Sequence, residues 1–181
     1  MVEGKLIAYG ACTFFMMLLH NVFLLYHIKA YIHVFKIDQS AFWVGEILFL
    51  IWNSLNDFIF GWFADKWLLQ HDGSRKERVP LSSLLRRIAM LRRGGLGMAA
   101  SFVLIWIPVI GPAWQFPVVL CLYDSFLTTV DLAHNALLAD LADNGLYYDS
   151  FLFISNKASS LPPIFVILIR KFSSQSISGP K

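Results

Sequence analysis

The chain has 181 residues, of which 57% are hydrophobic and only 15% are charged. An ordinary soluble domain has about 25% charged residues, so the composition excludes a water-soluble globular protein. The formal net charge is +3, and the excess of Lys and Arg lies in one connection between apolar blocks, which indicates membrane topology rather than a nucleic-acid partner.

Five long apolar blocks predict five membrane-spanning helices. A backbone inside the bilayer must satisfy its own hydrogen bonds, and a helix does so within one segment. In chain order the predicted spans are 6–28, 41–63, 94–110, 116–138 and 151–169. We therefore expect an all-α, multi-pass membrane protein in residues 1–169, with the lipid bilayer as its solvent.

The predicted loop 64–93 holds eight of the fifteen Lys and Arg residues. Basic connections stay on the cytoplasmic side, so the N-terminus is expected to be cytoplasmic as well. Between residues 81 and 91, leucine and isoleucine recur at helical spacing beside Arg86 and Arg87, which is typical of a helix lying on the membrane surface. Arg92 and Arg93 are expected to extend from the third span toward the headgroups.

The end of the chain carries two further signals. Pro162 and Pro163 predict a kink or a break in the fifth helix, because proline lacks a backbone N–H. After residue 169 the chain becomes rich in serine, and this composition predicts a disordered tail over 170–181.

Polar side chains in the predicted second span are the first candidates for a functional site. Asn53, Asn56 and Asp57 are spaced so that they share one side of a helix. Ionisable groups are costly inside a membrane, so they normally face the bundle interior or a water-filled pathway. Their oxygens suit a cation or a polyol. The alternative is hydrogen bonding between helices that only stabilises the bundle.

The predicted fourth span carries a second polar stripe. Asp124, Thr128, Asp131 and Asn135 follow one another at intervals of four, three and four residues, which places them on one helix face. We expect Asp131 to approach Asp57 of the second span, where the two carboxylates would either raise each other's pKa or share a cation. Asp124 is a further candidate, and a structural role for both acids is the alternative.

No nucleophile–base pair and no metal-ligand spacing is visible, so neither an enzyme nor a metal site is expected.

Three segments resemble a known transporter family. Residues 52–61 read WNSLNDFIFG and resemble the second-helix signature of the glycoside-pentoside-hexuronide:cation symporters, approximately W-D-x-x-N-D-P-x-x-G. Residues 61–66, GWFADK, are similar to the cytoplasmic G-x-x-x-D-R/K motif of the major facilitator superfamily, to which these symporters belong. Residues 131–138, DLAHNALL, are similar to the fourth-helix segment of the same branch. The resemblance covers about residues 9–141 and departs from the pattern at Asn53 and Phe58.

The resemblance implies a twelve-helix fold of two halves around a central cavity that opens alternately to either side. It also implies that Asp57 and Asp131 serve cation and sugar binding, with Asn56 beside the cation. The coupling cation would be Na⁺ or H⁺, and no other cofactor is implied. The motif that contains Gly61, Asp65 and Lys66 would act in gating at the cytoplasmic end.

The chain corresponds to most of one six-helix half of such a fold. We therefore expect a truncated symporter of sugar-like solutes that does not transport alone, with a small-molecule solute as its partner in a complete transporter. The alternative is a membrane protein that does not transport and instead associates with or regulates other membrane proteins.

Overall fold

The computed structural model describes residues 2–69, 81–141 and 148–177, and these residues are almost entirely helical. In chain order the elements are α1 (Val2–Lys29), a π-helical turn (Ala30–Val34), α2 (Gln39–Leu69), α3 (Leu81–Leu104), α4 (Pro112–Leu141) and α5 (Tyr148–Ile177). No strand occurs among the described residues, so the prediction of an all-α protein is confirmed.

Three described stretches are long and apolar enough to cross a bilayer. They are Gly4–Val34, Pro112–Leu138 and Tyr148–Ile169, which correspond to the first, fourth and fifth predicted spans. The second and third predicted spans lie on α2 and α3, whose apolar sequence is interrupted by polar residues such as Asp57 and Arg92. Those two spans therefore remain predictions.

Helix α3 differs from the predicted outline. It is continuous from Leu81 to Leu104, so the predicted surface helix and the predicted third span form one helix, and this helix ends six residues before the predicted end of the span at residue 110. Pro108 accounts for the early end, because proline has no N–H and disfavours helical backbone in the residue before it. After the helix, the backbone N–H of Trp106 donates to the carbonyl of Val103 at 3.0 Å, a tight three-residue turn.

One buried side chain holds the connection between α3 and α4. Gln115 is only 2% exposed. Its Nε2 donates to the carbonyl oxygens of Leu104 at 2.7 Å and Ile107 at 2.8 Å. Its Oε1 accepts from the backbone N–H groups of Val109 at 2.8 Å and Ile110 at 3.2 Å. Four backbone groups at the end of α3 and in the connection thus find partners in a single amide.

The last helix extends further than predicted. Helix α5 runs through Pro162 and Pro163 without a break and continues to Ile177. Residues 170–177, which the sequence predicted to be a disordered tail, belong to this helix, and 178–181 lie outside the described residues. Serine costs less than about 0.7 kcal/mol relative to alanine in a helix, so an established apolar helix continues into the Ser-rich segment. The predicted loop 64–93 is likewise helical at 64–69 and 81–93, and 70–80 lie outside the described residues.

The chain divides into two compact units, and the first comprises Met1–Tyr26 and Leu141–Lys181. In this unit α1 packs against α5. The rings of Tyr9 and Phe151 meet edge to face with centroids 5.5 Å apart. Beside them Gly10 lies directly against Ile154, with no room for a β-carbon, so glycine is what allows the two helices to approach.

The second unit, His27–Asp140, contains the π-helical turn and α2, α3 and α4. Phe116 of α4 is fully buried and packs on Tyr31 of the π-helical turn, with centroids 4.9 Å apart, and on Phe42 of α2, at 5.3 Å. On another side of α4, the ring of Phe126 occupies the space that a side chain at Gly97 of α3 would need. Helix α4 is therefore the central helix of this unit, and α2 and α3 both pack against it.

Candidate functional site

The polar residues of α2 do not all face the same way. Asn56 is completely buried, with 0% of its surface exposed, whereas Asn53 and Asp57 are exposed. A helix turns by about 100° per residue, so Asn56 faces α4 while Asp57 lies at the edge of that contact. The predicted shared face is therefore split between a buried amide and a more accessible carboxylate.

Four side chains join α2 to α4 in one hydrogen-bonded network. The Nδ2 of Asn56 donates to Oδ2 of Asp124 at 2.8 Å. The same nitrogen donates to Oγ1 of Thr128, also at 2.8 Å. The hydroxyl of Thr128 in turn donates to Oδ1 of Asp57 at 3.3 Å. The residues Asp124, Asn56, Thr128 and Asp57 will be called the polar network.

The polar network leaves one buried oxygen available. An ionised carboxylate can only accept hydrogen bonds, so the nitrogen of the Asn56 amide faces Asp124 and Oδ1 of Asn56 points the other way. This Oδ1 is buried and has no hydrogen-bond partner among the described residues. An unsatisfied buried acceptor costs about 1–3 kcal/mol, which a bound cation or hydroxyl group would offset.

The network is rich in acceptors and carries two carboxylates. Asp124 is 9% exposed. Within the described part of the chain, no Lys or Arg forms an ion pair with Asp124 or Asp57. Two carboxylates that share one contact between helices without a basic partner among the described residues favour a bound proton or a hard cation. Among the described residues no group of three or more His, Cys, Asp or Glu side chains could hold a metal ion.

Asp131 lies outside the hydrogen bonds of the polar network. Its Oδ2 accepts a 3.1 Å hydrogen bond from Nδ2 of Asn135, one turn along α4. It remains within electrostatic range of Asp57. The structure thus places two members of the predicted α4 stripe, Asp124 and Thr128, against α2, and joins Asp57 to Thr128 rather than to Asp131.

The predicted gating motif lies on the last turns of α2. Lys66 is exposed, and its Nζ lies 4.8 Å from the ring centroid of Trp62. Gly61 has open space where a side chain would be. The side chain of Asp65 lies outside the described part of the chain, so the gating role of this motif remains a prediction.

An ion pair between α3 and α4 was not predicted. Nη1 of Arg87 lies 2.8 Å from Oδ1 of Asp140, and the two side chains are 17% and 5% exposed. Nη1 also donates to the carbonyl oxygen of Ala136. Burial raises the pKa of the Asp140 carboxyl above its ordinary value, and the Arg87 guanidinium opposes this shift. The complementary charges were visible in the sequence, but spacing alone could not pair them.

An apolar groove of about 630 Å³ runs beside the polar network between α2 and α4. Trp52 lines this groove, and its indole Nε1–H donates to Oγ of Ser125 at 3.2 Å. Ser125 donates in turn to the carbonyl oxygen of Cys121 at 2.7 Å. Since Ser125 is the neighbour of Asp124 in sequence, Trp52 is a natural spectroscopic reporter for the polar network.

Among the known proteins that the chain resembles are two vertebrate proteins. The chain is 48% identical to transmembrane protein 180 of Gallus gallus over 136 residues, which are 75% of this chain and 27% of that relative. It is 47% identical to transmembrane protein 180 of Mus musculus over 139 residues, 75% of this chain and 26% of the relative. The chain thus spans about a quarter of the length of these curated relatives.

No protein-family model matches the chain, and no solved structure matches it. The relatives' names describe transmembrane proteins, and the chain has helices long and apolar enough to cross a bilayer. It is accordingly a helical membrane protein.

Proposed function

We propose that this chain is the front part of a cation-coupled solute symporter of the major facilitator type, and that the polar network is its cation site. The observation that carries the proposal is the buried, unpartnered Oδ1 of Asn56 beside two carboxylates that lack a basic partner among the described residues. An enclosed set of oxygen acceptors with net negative charge is suited to Na⁺ or to a proton.

The network offers oxygens of three kinds within one contact between two helices. Asn56 supplies an amide oxygen, Thr128 a hydroxyl oxygen, and Asp57 and Asp124 supply carboxylates. Such mixed oxygen sets replace the water shell of a hard cation. Because Thr128 bonds to both Asn56 and Asp57, a cation bound at one end of the network would change the hydrogen bonding at the other end.

Asp57 is the member of the polar network through which a cation would reach the site. It is exposed, whereas Asn56 and Asp124 are buried, so a cation would enter from the side of Asp57. In the resembling symporters the matching positions serve cation and sugar binding, and we extend this role to Asp57 and, for a sugar-like solute, to the neighbouring Asp131. The gating motif 61–66 and a cytoplasmic N-terminus belong to the same proposal.

Cation binding is tested directly on the chain in lipid nanodiscs by tryptophan fluorescence. Titration with Na⁺ at constant ionic strength, with choline as the replacement ion, should give a saturable change that Trp52→Phe removes. Asp57→Asn should weaken the affinity for Na⁺ by about tenfold or more, since it removes a charged ligand. Asp149→Asn, at an exposed acid that begins α5, is the matched control and should bind as the unaltered chain does.

Absence of a saturable response to both Na⁺ and pH would overturn the cation site. Transport is tested separately, by uptake of labelled sugars into proteoliposomes under a Na⁺ or pH gradient. Uptake that depends on Asp57 supports a symporter. Cation binding without uptake would mean that this chain holds the site but does not transport alone.

A further inference from the structure

Two arginines of α3, Arg92 and Arg93, lie level with an apolar part of the neighbouring helix α4. Helices α3 and α4 are antiparallel, as shown by Arg87, 2.8 Å from Asp140, and by Gly94, where a β-carbon would lie 3.0 Å from Cγ2 of Val130. Arg92 and Arg93 immediately precede Gly94 and therefore lie beside residues 131–132 of α4.

That position is inside the apolar span of α4. The span ends at Leu138, six to seven residues beyond the level of the two arginines. At 1.5 Å of rise per residue, the α-carbons of Arg92 and Arg93 lie about 9–10 Å inside that end. A guanidinium group stays charged at any physiological pH, so it must reach the headgroups or meet an anion at that depth.

Both arginines point away from the packed side of α3. The exposed large residues along this helix are Leu85, Ile88, Arg92, Arg93, Leu96 and Val103. Most of them recur at intervals of three, four or seven residues, so they form one outward stripe. Within the described part of the chain no Asp or Glu pairs with Arg92 or Arg93, in contrast to Arg87. The exposed face of α3 thus carries two adjacent cations between apolar side chains.

We propose that Arg92 and Arg93 form a binding site for the phosphate headgroup of an anionic phospholipid. The lipid belongs to the leaflet at the Leu138 end of α4, and its acyl chain lies along Leu96 and Val103. Guanidinium groups bind phosphate oxygens in a bidentate manner, which a lysine ammonium cannot do. Two adjacent guanidinium charges favour a lipid with net negative charge over a zwitterionic lipid, whose own ammonium would be repelled.

This inference does not depend on the proposed transport function. The charge distribution of the connections predicts that this end of α4 is cytoplasmic, and anionic lipids are concentrated in the cytoplasmic leaflet. The shortness of the apolar part of α3, from Gly94 to Leu104, also fits lipid headgroups that are drawn inward at Arg92 and Arg93.

Native mass spectrometry of the full chain, released from nanodiscs of equimolar phosphatidylglycerol and phosphatidylcholine, tests the site. The unaltered chain should retain phosphatidylglycerol preferentially. Each arginine is expected to contribute about fivefold to this preference, so Arg92→Gln with Arg93→Gln should abolish most of it. Lys36→Asn is the matched control, since Lys36 is exposed in the connection before α2 and its positive φ of 51° suits asparagine.

Three results would overturn the proposal. The first is an unchanged preference for phosphatidylglycerol in the double Gln variant, and the second is an equal loss of this preference in Lys36→Asn. The third is complete displacement of the lipid by excess inorganic phosphate, which would identify a site for free phosphate. The unaltered chain supplies a test that needs no substitution, because an electrostatic preference must fall as ionic strength rises. A preference that does not depend on salt would also contradict the site.

Discussion

Asn56 of α2 and Asp124 of α4 are joined by a 2.8 Å hydrogen bond from the amide nitrogen to Oδ2, in a contact from which solvent is excluded. The Asn56 side chain is completely buried, and its amide nitrogen is the hydrogen-bond donor to the carboxylate of Asp124. This bond ties the candidate site to the packing of the two helices, so stability and function should respond to the same substitutions.

Asn56→Ala is expected to destabilise the fold by about 1–3 kcal/mol, because it leaves the buried carboxylate of Asp124 without this donor. Denaturant unfolding in mild detergent, followed by circular dichroism, measures the change. Asn53→Ala, three residues away on the exposed side of α2, should alter the free energy of unfolding by no more than about 0.5 kcal/mol. Equal effects of the two substitutions would contradict the assignment of Asn56 to the interior.

Thr128 and Thr129 form a matched pair for the polar network. Thr128 bonds to Asn56 and Asp57 of the neighbouring helix, whereas Thr129 donates to the carbonyl of Ser125 within α4. Thr128→Val should weaken Na⁺ affinity about tenfold, since it removes one oxygen ligand and the bond to Asp57. Thr129→Val should leave the affinity unchanged. The fluorescence titration described above measures both, and equal affinities would exclude Thr128 from the site.

Gly97 and Gly95 distinguish helix packing from helix propensity. A β-carbon at Gly97 would collide with the ring of Phe126, whereas Gly95 has open space. Gly97→Ala should therefore destabilise the fold by about 1–3 kcal/mol through overpacking. Gly95→Ala should be neutral or stabilising by up to about 1 kcal/mol, because alanine favours the helix. Thermal unfolding of the two variants in the same detergent checks the opposite signs.

The ion pair of Arg87 and Asp140 predicts a dependence on pH. Burial already raises the pKa of Asp140, and Arg87→Gln removes the opposing charge and should raise it further. A carboxyl with a raised pKa in the folded state takes up its proton more readily when folded, so stability lost at neutral pH returns as pH falls through that pKa. Arg87→Gln should therefore destabilise by about 3 kcal/mol at neutral pH and by much less near pH 4.

Unfolding of Arg87→Gln across this pH range measures the effect. The double variant Arg87→Gln with Asp140→Asn carries no titrating group at the pair, so its stability should lack the gain at low pH that Arg87→Gln shows. A single variant whose loss is constant with pH would show that the Asp140 carboxyl is not the responsible group.

The helices and the inward-facing polar residues were readable from sequence because both depend on periodicity and length. Apolar blocks located the helices, and the spacing of Asp124 and Thr128 indicated one helix face. Periodicity does not reveal which neighbouring helix that face meets or at what register. The direct bond from Thr128 to Asp57, in place of the expected pairing with Asp131, follows from the α2–α4 register and had no sequence signal.

The ion pair of Arg87 and the end of α3 depend on contacts of individual residues, which the composition of a segment does not reveal. Arg87 lies in a run of basic residues that favours a solvated surface helix, yet it forms an ion pair that joins α3 to Asp140 of α4. The end of α3 was placed too late because residues 105–110 are as apolar as the helix before them. Pro108 was the local signal for the earlier end, and the capping contribution of Gln115 became visible only with the fold.

The contacts of Gln115 affect how much of the chain after α3 can lie in the hydrocarbon core of a bilayer. From Gly94 to Leu104 the helix rises only about 15 Å, half of a hydrocarbon core of about 30 Å. Irregular backbone is normally excluded from lipid because its N–H and C=O groups need hydrogen-bond partners. Here the side chain of Gln115 supplies a partner for four of these groups. The exposed side chains of Ile107, Val109 and Ile110 lie on this turn, so its satisfied backbone is compatible with the predicted third span continuing to residue 110.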